Sequence, residues 1–424
     1  MNSHQISRGV MVVICCAACS SILAEEPYFQ GLGDLPGGVF ASSATAVSAN
    51  GQVVVGRSVT AGLFSDDPYR WTRETGMVQL TPANAFVGGR ATDVSFDGTV
   101  IVGSGTRDDD IGEAWRWTST QGIHGLGDLP GGEFSSSAFG VSADKAVAIG
   151  WSRSDRSQLF EAFTWTIDDG MLPLGDLPGG IRHSIAIDLT PDGAMIVGMS
   201  YSSNGREAFY WTQAEGMVPL GDLPGGLFEG GASAVSVDGS VIGGSSRSER
   251  GIEAFRWTRE TGMVQIANPF GELVNLGVDG MSADGSVMVG DAGLAVGTDP
   301  VYYWDAEHGM RGLREVLVND HGLNLDGWLL TDVADISADG RTIVGSGQNP
   351  QNQPEGWIAY LGPPPCPSDL DGDGSVGLSD LIRVLDNFGE SWTAVHPRGD
   401  VNYDLHVDLK DLGLVLSAFG SSCE

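Results

Sequence analysis

Two stretches near the C-terminus space oxygen-bearing side chains at alternate positions, the arrangement that wraps a hard divalent cation. The first, residues 369–380, reads DLDGDGSVGLSD. Asp369, Asp371 and Asp373 fill loop positions 1, 3 and 5, and Gly374 fills position 6, where the chain must bend sharply. Ser375 at position 7 would offer its main-chain carbonyl, Gly377 at position 9 leaves that place to water, and Asp380 closes the loop at position 12. The second stretch, residues 400–411, reads DVNYDLHVDLKD. Asp400, Asn402 and Asp404 fill positions 1, 3 and 5, His406 would use its carbonyl, Asp408 fills position 9 and Asp411 position 12. Leu405 replaces the glycine at position 6, so this site is expected to bind more weakly unless Asp408 compensates. The ion expected is calcium, two per chain. A lone acidic turn would pass for solvated surface, but these two agree in ligand spacing.

The segments after the two loops agree as well. LSDLIRVLDNFG (378–389) and LKDLGLVLSAFG (409–420) are offset by 31 residues and carry apolar residues at helical spacing. Each loop is therefore expected to feed a helix, in a small α-helical module of paired EF-hand-like loop–helix units over 369–424. A proline-rich linker, 363–368, precedes it, and consecutive prolines favour an extended, fairly stiff chain.

The rest of the chain is a repeat. VSANGQVVVG (47–56) returns as VSFDGTVIVG (94–103), VSADKAVAIG (141–150), LTPDGAMIVG (189–198), VSVDGSVIGG (235–244), MSADGSVMVG (281–290) and ISADGRTIVG (336–345). Asx-Gly between apolar runs predicts a hairpin with a type I′ turn, which needs positive φ at both central residues. The third copy has Asp144-Lys145 and should need another turn. A second phrase comes next in aromatic runs such as EAWRWT (113–118) and EAFRWT (253–258), then a glycine five residues after each tryptophan, then a fourth apolar piece. Four short strands in about 47 residues is the size of a propeller blade.

The ends are complementary. The seventh unit stops after EGWIAYL (355–361) without a fourth strand, while YFQGLGDLPGG (28–38) aligns with MVPLGDLPGG (217–226) and offers a fourth strand without its first three. We therefore expect an all-β domain over 25–362, a seven-bladed β-propeller closed by its N-terminal strand, which removes two open sheet edges. The stretch 310–337 is longer than its counterparts and is read as a modified last blade holding a helical turn.

The EAFRWT…GM…LGDLPGG and VS-DG…VVG phrases resemble the HAF-type extracellular repeat family over roughly residues 28–361. The resemblance implies export and a repeat fold, with no known reaction. The family's histidine position holds glutamate here (Glu113, Glu161, Glu207, Glu253). The duplicated loop–helix pair resembles a type I dockerin, in which aspartate is preferred at loop position 12. That resemblance implies a cohesin-like partner domain read by loop positions 10 and 11, here Leu378-Ser379 and Leu409-Lys410. Their difference argues against a fully symmetric dual binding mode.

Composition narrows the partners. The formal net charge is −33 and only two lysines occur, so phosphate backbones are repelled and nucleic acid is not an expected partner. Arg8, the apolar run 9–18 and the small residues ending at Ala24 read as a signal peptide over 1–24. A lipoprotein signal on Cys19 is the alternative, against a poor match in Cys16-Ala17-Ala18-Cys19. The protein is expected to be secreted or at the cell surface, with no transmembrane segment in the mature chain. Cleavage would leave Cys366 and Cys423, which bracket the loop–helix module and are expected to form a disulfide.

No catalytic constellation stands out. Asp34, Asp128, Asp176 and Asp222 fall at equivalent points of the LGDLPGG connectors and could ring a ligand, but turn chemistry accounts for them alone. Trp71, Trp117, Trp165, Trp211, Trp257 and Trp304 could stack on sugars, but their regular recurrence favours packing between blades. Three function classes remain open. The first is a non-catalytic protein tethered through calcium, with a propeller that binds a protein or glycan. The second is a polysaccharide-degrading glycoside hydrolase within a dockerin-organised complex. The third is a purely structural cell-surface propeller.

Overall fold

A computed structural model describes the chain except residues 1–25, 62–64, 81–85, 108–111, 158, 272–274, 294–298, 363–367, 371–374, 390–398, 402–405 and 423–424. The expected signal peptide and both expected disulfide cysteines lie outside the described residues. Residues 26–361 form a β-propeller built, among the described residues, from seven four-stranded antiparallel units. In unit 1 the strands Ser42–Val47, Val54–Ala61, Ser65–Thr72 and Gly76–Gln79 pair in sequence order. Units 2 to 6 repeat that order, and a single bridge between Arg206 and Glu229 links the sheets of units 4 and 5.

Unit 7 takes its first three strands, Leu329–Ile336, Thr342–Gln348 and Pro354–Tyr360, from the end of the repeat. Its fourth is the N-terminal strand Tyr28–Gly31, paired antiparallel from Tyr28 with Tyr360 to Gly31 with Trp357. The polar contacts at this seam copy those inside the chain. Gly127 N donates to Glu113 within unit 2, and Gly33 N donates to Glu355 across the seam at 2.9 Å. Ser136 Oγ donates to Gly127 O and accepts from Ala114 N; Ser42 Oγ donates to Gly33 O and accepts from Gly356 N. The same bonds thus close over 322 and 314 residues instead of 14 and 22.

The strands are buried on both faces, which is why they read as continuous apolar runs instead of alternating ones. In the Val53-Val54-Val55 run, Val54 packs with Val344 and Ile358 of unit 7, while Val53 and Val55 pack with Val94 and Ile101 of unit 2. The recurring tryptophans join these clusters: Trp71 and Trp257 are buried, and Trp117, Trp165, Trp211 and Trp304 pack against the cores between units. The long stretch before unit 7 forms one helical turn, Leu313–Glu315, that runs into Val316–Asp320. Leu313, Leu317, Leu323 and Leu325 bury against Ile343 and Trp357.

The hairpin turns differ from the type I′ expectation. In each copy the residue at the glycine position donates to the carbonyl three residues back, as Gly51 N does to Ser48 O at 2.7 Å. Only that residue has positive φ, from 67° at Lys145 to 72° at Gly98. This is an unprimed turn followed by a left-handed residue. The asparagine or aspartate before it keeps negative φ and accepts bonds from the serine hydroxyl and a following amide, as Asp238 does from Ser236 Oγ and Ser240 N. The third copy keeps the same turn, contrary to expectation. Lys145 adopts φ 67°, Asp144 accepts from Ser142 Oγ and Ala146 N, and the lysine ammonium pairs with Asp97 at 2.6 Å. The serine–aspartate lock determines the turn, and a left-handed lysine costs only about 1–2 kcal/mol.

Candidate functional site

The C-terminal module brings its two halves together around Val376, Val384, Val401, Val407 and Val415. Its helices are Leu378–Asp386 and Leu409–Ala418. The residues expected at loop position 12 share one geometry. Asp380 is fully buried and accepts from Leu370 N and Gly377 N, both at 2.7 Å. Asp411 is fully buried and accepts from Val401 N and Asp408 N, both at 2.8 Å. In both halves the donors are loop positions 2 and 9, so the carboxylate ties the start of the loop to the start of the helix. An all-oxygen donor set of this kind fits calcium.

Asp369 and Asp400 immediately precede Leu370 and Val401, whose amides the anchors accept, and Asp400 is buried. Asp408 also caps the second helix, accepting from Lys410 N. Ser375 bridges to Ser422, and Val376 N donates to Ser421 O, so the two ends of the module lie side by side. His406 is exposed. Asp371, Asp373, Asn402 and Asp404 lie outside the described residues. The four positions expected to read a partner are all exposed, with Leu378 at 64% and Leu409 at 74%, beside exposed Ser379 and Lys410.

In the propeller, equivalent residues of all seven units line one axial cavity of ≈ 280 Å³, among them Val47, Val94, Val141, Leu189, Val235, Met281 and Ile336. The residue before each of these reads Ala46, Asp93, Gly140, Asp188, Ala234, Gly280 and Asp335. The three aspartates are main-chain clamps between units. Asp93 accepts from Val94 N and from Val141 N of unit 3; Asp188 accepts from Leu189 N and from Val235 N of unit 5. Asp335 accepts from Ile336 N and, at 2.9 Å, from Val47 N of unit 1. Burial pushes the Asp188 carboxyl up to about 6 and the Asp335 carboxyl up to about 7, against the two amide bonds that each accepts. Burial raises Asp93 well above the usual carboxylate range, with mutual repulsion adding to it. Sequence reading missed these residues. Stacking the seven copies would have exposed a carboxylate at an otherwise small, apolar position.

The connector aspartates behave as turn residues where bonded. Asp34 accepts from Ser58 Oγ and Asp222 from Ser246 Oγ. The glutamates that open the aromatic strands are likewise buried braces: Glu161 accepts from Ser154 Oγ, Glu207 from Ser202 Oγ and Glu253 from Ser248 Oγ. Among the described residues no group of three or more His, Cys, Asp or Glu side chains is placed to hold a metal ion, and no helix is long and apolar enough to cross a membrane.

No family model and no curated protein matches the chain. Among solved structures it is similar to an oligogalacturonate lyase in complex with manganese, at 14% identity over 80% of this chain and 97% of that one, with a TM-score of 0.49. It is also similar to the β-propeller domain of the Trilobed protease from Pyrococcus furiosus, at 10% identity over 80% of this chain and 96% of that one, TM-score 0.49. A third likeness is to TolB from Acinetobacter baumannii, at 10% identity over 74% of this chain and 65% of that one, TM-score 0.41. Likenesses this distant carry no activity or ligand across.

Proposed function

We propose that this is an exported, non-catalytic tethering protein. A closed seven-bladed propeller presents a binding face for a protein or glycan, and a dockerin-like module with two calcium ions docks on a cohesin-like domain. The observation that carries this reading is the matched pair of buried anchors, Asp380 and Asp411, each held by the amides of loop positions 2 and 9. Asp369, Asp371, Asp373 and Asp380 would hold the first ion, with the Ser375 carbonyl. Asp400, Asn402, Asp404, Asp408 and Asp411 would hold the second, with the His406 carbonyl. Calcium supplies the positive charge that lets these carboxylates crowd at the heads of two helices. The exposed Leu378 and Leu409, beside Ser379 and Lys410, supply a docking edge. A Cys366–Cys423 disulfide would clasp the ends of this module.

Calorimetric titration of the mature chain with calcium checks this. Two sites are expected, the one at Asp369–Asp380 tighter. Asp380→Ala should abolish the tighter site and Asp411→Ala the weaker. Absence of calcium uptake at millimolar concentration would overturn the reading.

A further inference from the structure

A unique site on a sevenfold repeat must lie where the repeat is broken. The LGDLPGG connector precedes units 1, 3, 4 and 5 and is missing before units 2, 6 and 7. In those four units a serine, Ser58, Ser152, Ser200 or Ser246, accepts from the connector leucine amide. Unit 2 has Gly105 there, facing Gly89 across the strand pair. The two glycines face each other at close backbone approach, where a Cβ on Gly89 would meet the Ser104 carbonyl, and a polar cleft of ≈ 530 Å³ opens beside them across units 1 to 3. That volume lies in the range of about 300–1,000 Å³ that ligand sites occupy.

The next register position toward the centre of each strand pair differs from unit to unit: Ser43 with Arg57, Arg90 with Ser104, Ser137 with Trp151, Ile185 with Met199. Arg57, Arg90, Ser137 and Trp151 all line the cleft. Arg57 is braced by Asp66 at 2.5 Å and by Ser43 Oγ at 3.2 Å. Arg90 is exposed, and no hydrogen bond or ion pair engages its guanidinium among the described residues. Ser137 is 4% exposed, yet its hydroxyl has no partner among the described residues. Trp151 begins a run of rings unlike the core tryptophans: Phe160 at 4.0 Å, then His183 at 5.5 Å from Phe160, then Tyr201 at 5.4 Å from His183.

The cleft therefore combines the Arg90 guanidinium, an Arg57 guanidinium paired with the Asp66 carboxylate that also lines it, an unsatisfied hydroxyl and an indole wall within a chain whose net charge is −33. Guanidiniums match a carboxylate, and an indole face matches the C–H face of a sugar ring. We propose that this cleft is the propeller's ligand site and takes an acidic saccharide, a uronate-bearing glycan. Its carboxylate would sit on Arg90, with the Asp66-paired Arg57 at the edge, and its ring on Trp151. The inference rests on the reading of the propeller as a binding module and gives it a place and a ligand class.

The test is calorimetry of the full mature chain at about 0.15 M salt, where repulsion from the distant acidic surface is screened. Hexamers of guluronate and of glucuronate-containing hyaluronan are compared with neutral cellohexaose. Binding of at least one uronate oligomer is expected, weakened at least tenfold by Arg90→Ala and by Trp151→Ala and only slightly by Trp151→Phe. Should Trp151→Ala fail to fold, Arg90→Glu gives the same reading from an exposed position. Equal binding of cellohexaose, uronate binding indifferent to Arg90, or no uronate binding would each overturn the proposal. Calcium uptake measured on the same samples separates the two readings, because its loss would strike the tethering module and leave the cleft untouched.

Discussion

Removing residues 26–33 is expected to cost the propeller its single cooperative thermal transition and to make it aggregate. The deletion exposes the edge of Pro354–Tyr360, a row of unpaired amides and carbonyls next to Trp357 and Ile358. It also removes Leu32, which is buried among Val54, Ile358 and Val344. Phe29 is lost as well, and it packs edge-on against Trp328 at 5.3 Å. Each such side chain contributes roughly 1.5–3 kcal/mol when fully buried. The buried Glu355 would further lose the Gly33 amide, and an underbonded buried carboxylate costs several kcal/mol more. The sum is a large share of the roughly 5–15 kcal/mol that stabilises a typical domain. A synthetic peptide of residues 26–38 added in trans should restore the transition by supplying the missing strand. A truncated chain that melts like the parent, or one that no peptide rescues, would contradict the role of this strand.

The second large effect concerns pH. Burial raises Asp188 to about 6 and Asp335 to about 7 from an ordinary 3.8, and raises Asp93 as well. Burial likewise raises Asp279 to about 6 and Asp291 to about 8. The folded propeller then keeps protons that the unfolded chain has released, so its stability falls as pH rises from about 4 to about 8 and levels off above. A tenfold difference in proton affinity between the folded and unfolded chain corresponds to about 1.4 kcal/mol, so the fall should amount to several kcal/mol. Asp97 and Asp238 are held below the ordinary value despite partial burial, because serine, threonine, lysine and amide groups bond their charged forms, so they act in the opposite sense below pH 4. Urea unfolding at pH 5 and pH 8 checks this. The parent should be the more stable at pH 5, and Asp188→Asn with Asp335→Asn should reduce the difference, leaving the part due to Asp93, Asp279 and Asp291. A parent that gains stability between pH 5 and pH 8 would rule out these carboxyls as the controlling groups.

Much of this architecture is legible in the residues. The recurring phrases mark each four-stranded unit, and the alignment of 28–38 with 217–226 shows which strand the last unit lacks. The turn is less legible, because Asx-Gly serves two hairpin geometries and only the serine–aspartate lock chooses between them. That lock also lets Lys145 stand in for glycine, which its side chain alone would not suggest. The clamps at Asp93, Asp188 and Asp335 are hidden for another reason. The second amide each one holds lies in the next unit of the ring, and for Asp335 that amide, at Val47, is 288 residues away. The cleft beside Gly89 and Gly105 is hidden because it lies where the connector is missing, and pattern matching records what is present. In the C-terminal module the loop spacing points to Asp380 and Asp411 as closing residues, while the amides that fix them emerge only in three dimensions.

Central to the proposed function is that calcium organises the C-terminal module without altering the propeller. Hydrogen–deuterium exchange of the full chain, with calcium and with a chelator, tests this most directly. Calcium should slow exchange strongly across the amides of Leu370, Gly377, Val401 and Asp408 and along both module helices, with exchange over residues 28–361 unchanged. Identical exchange in the module under both conditions, or an equal change in the propeller, would contradict it.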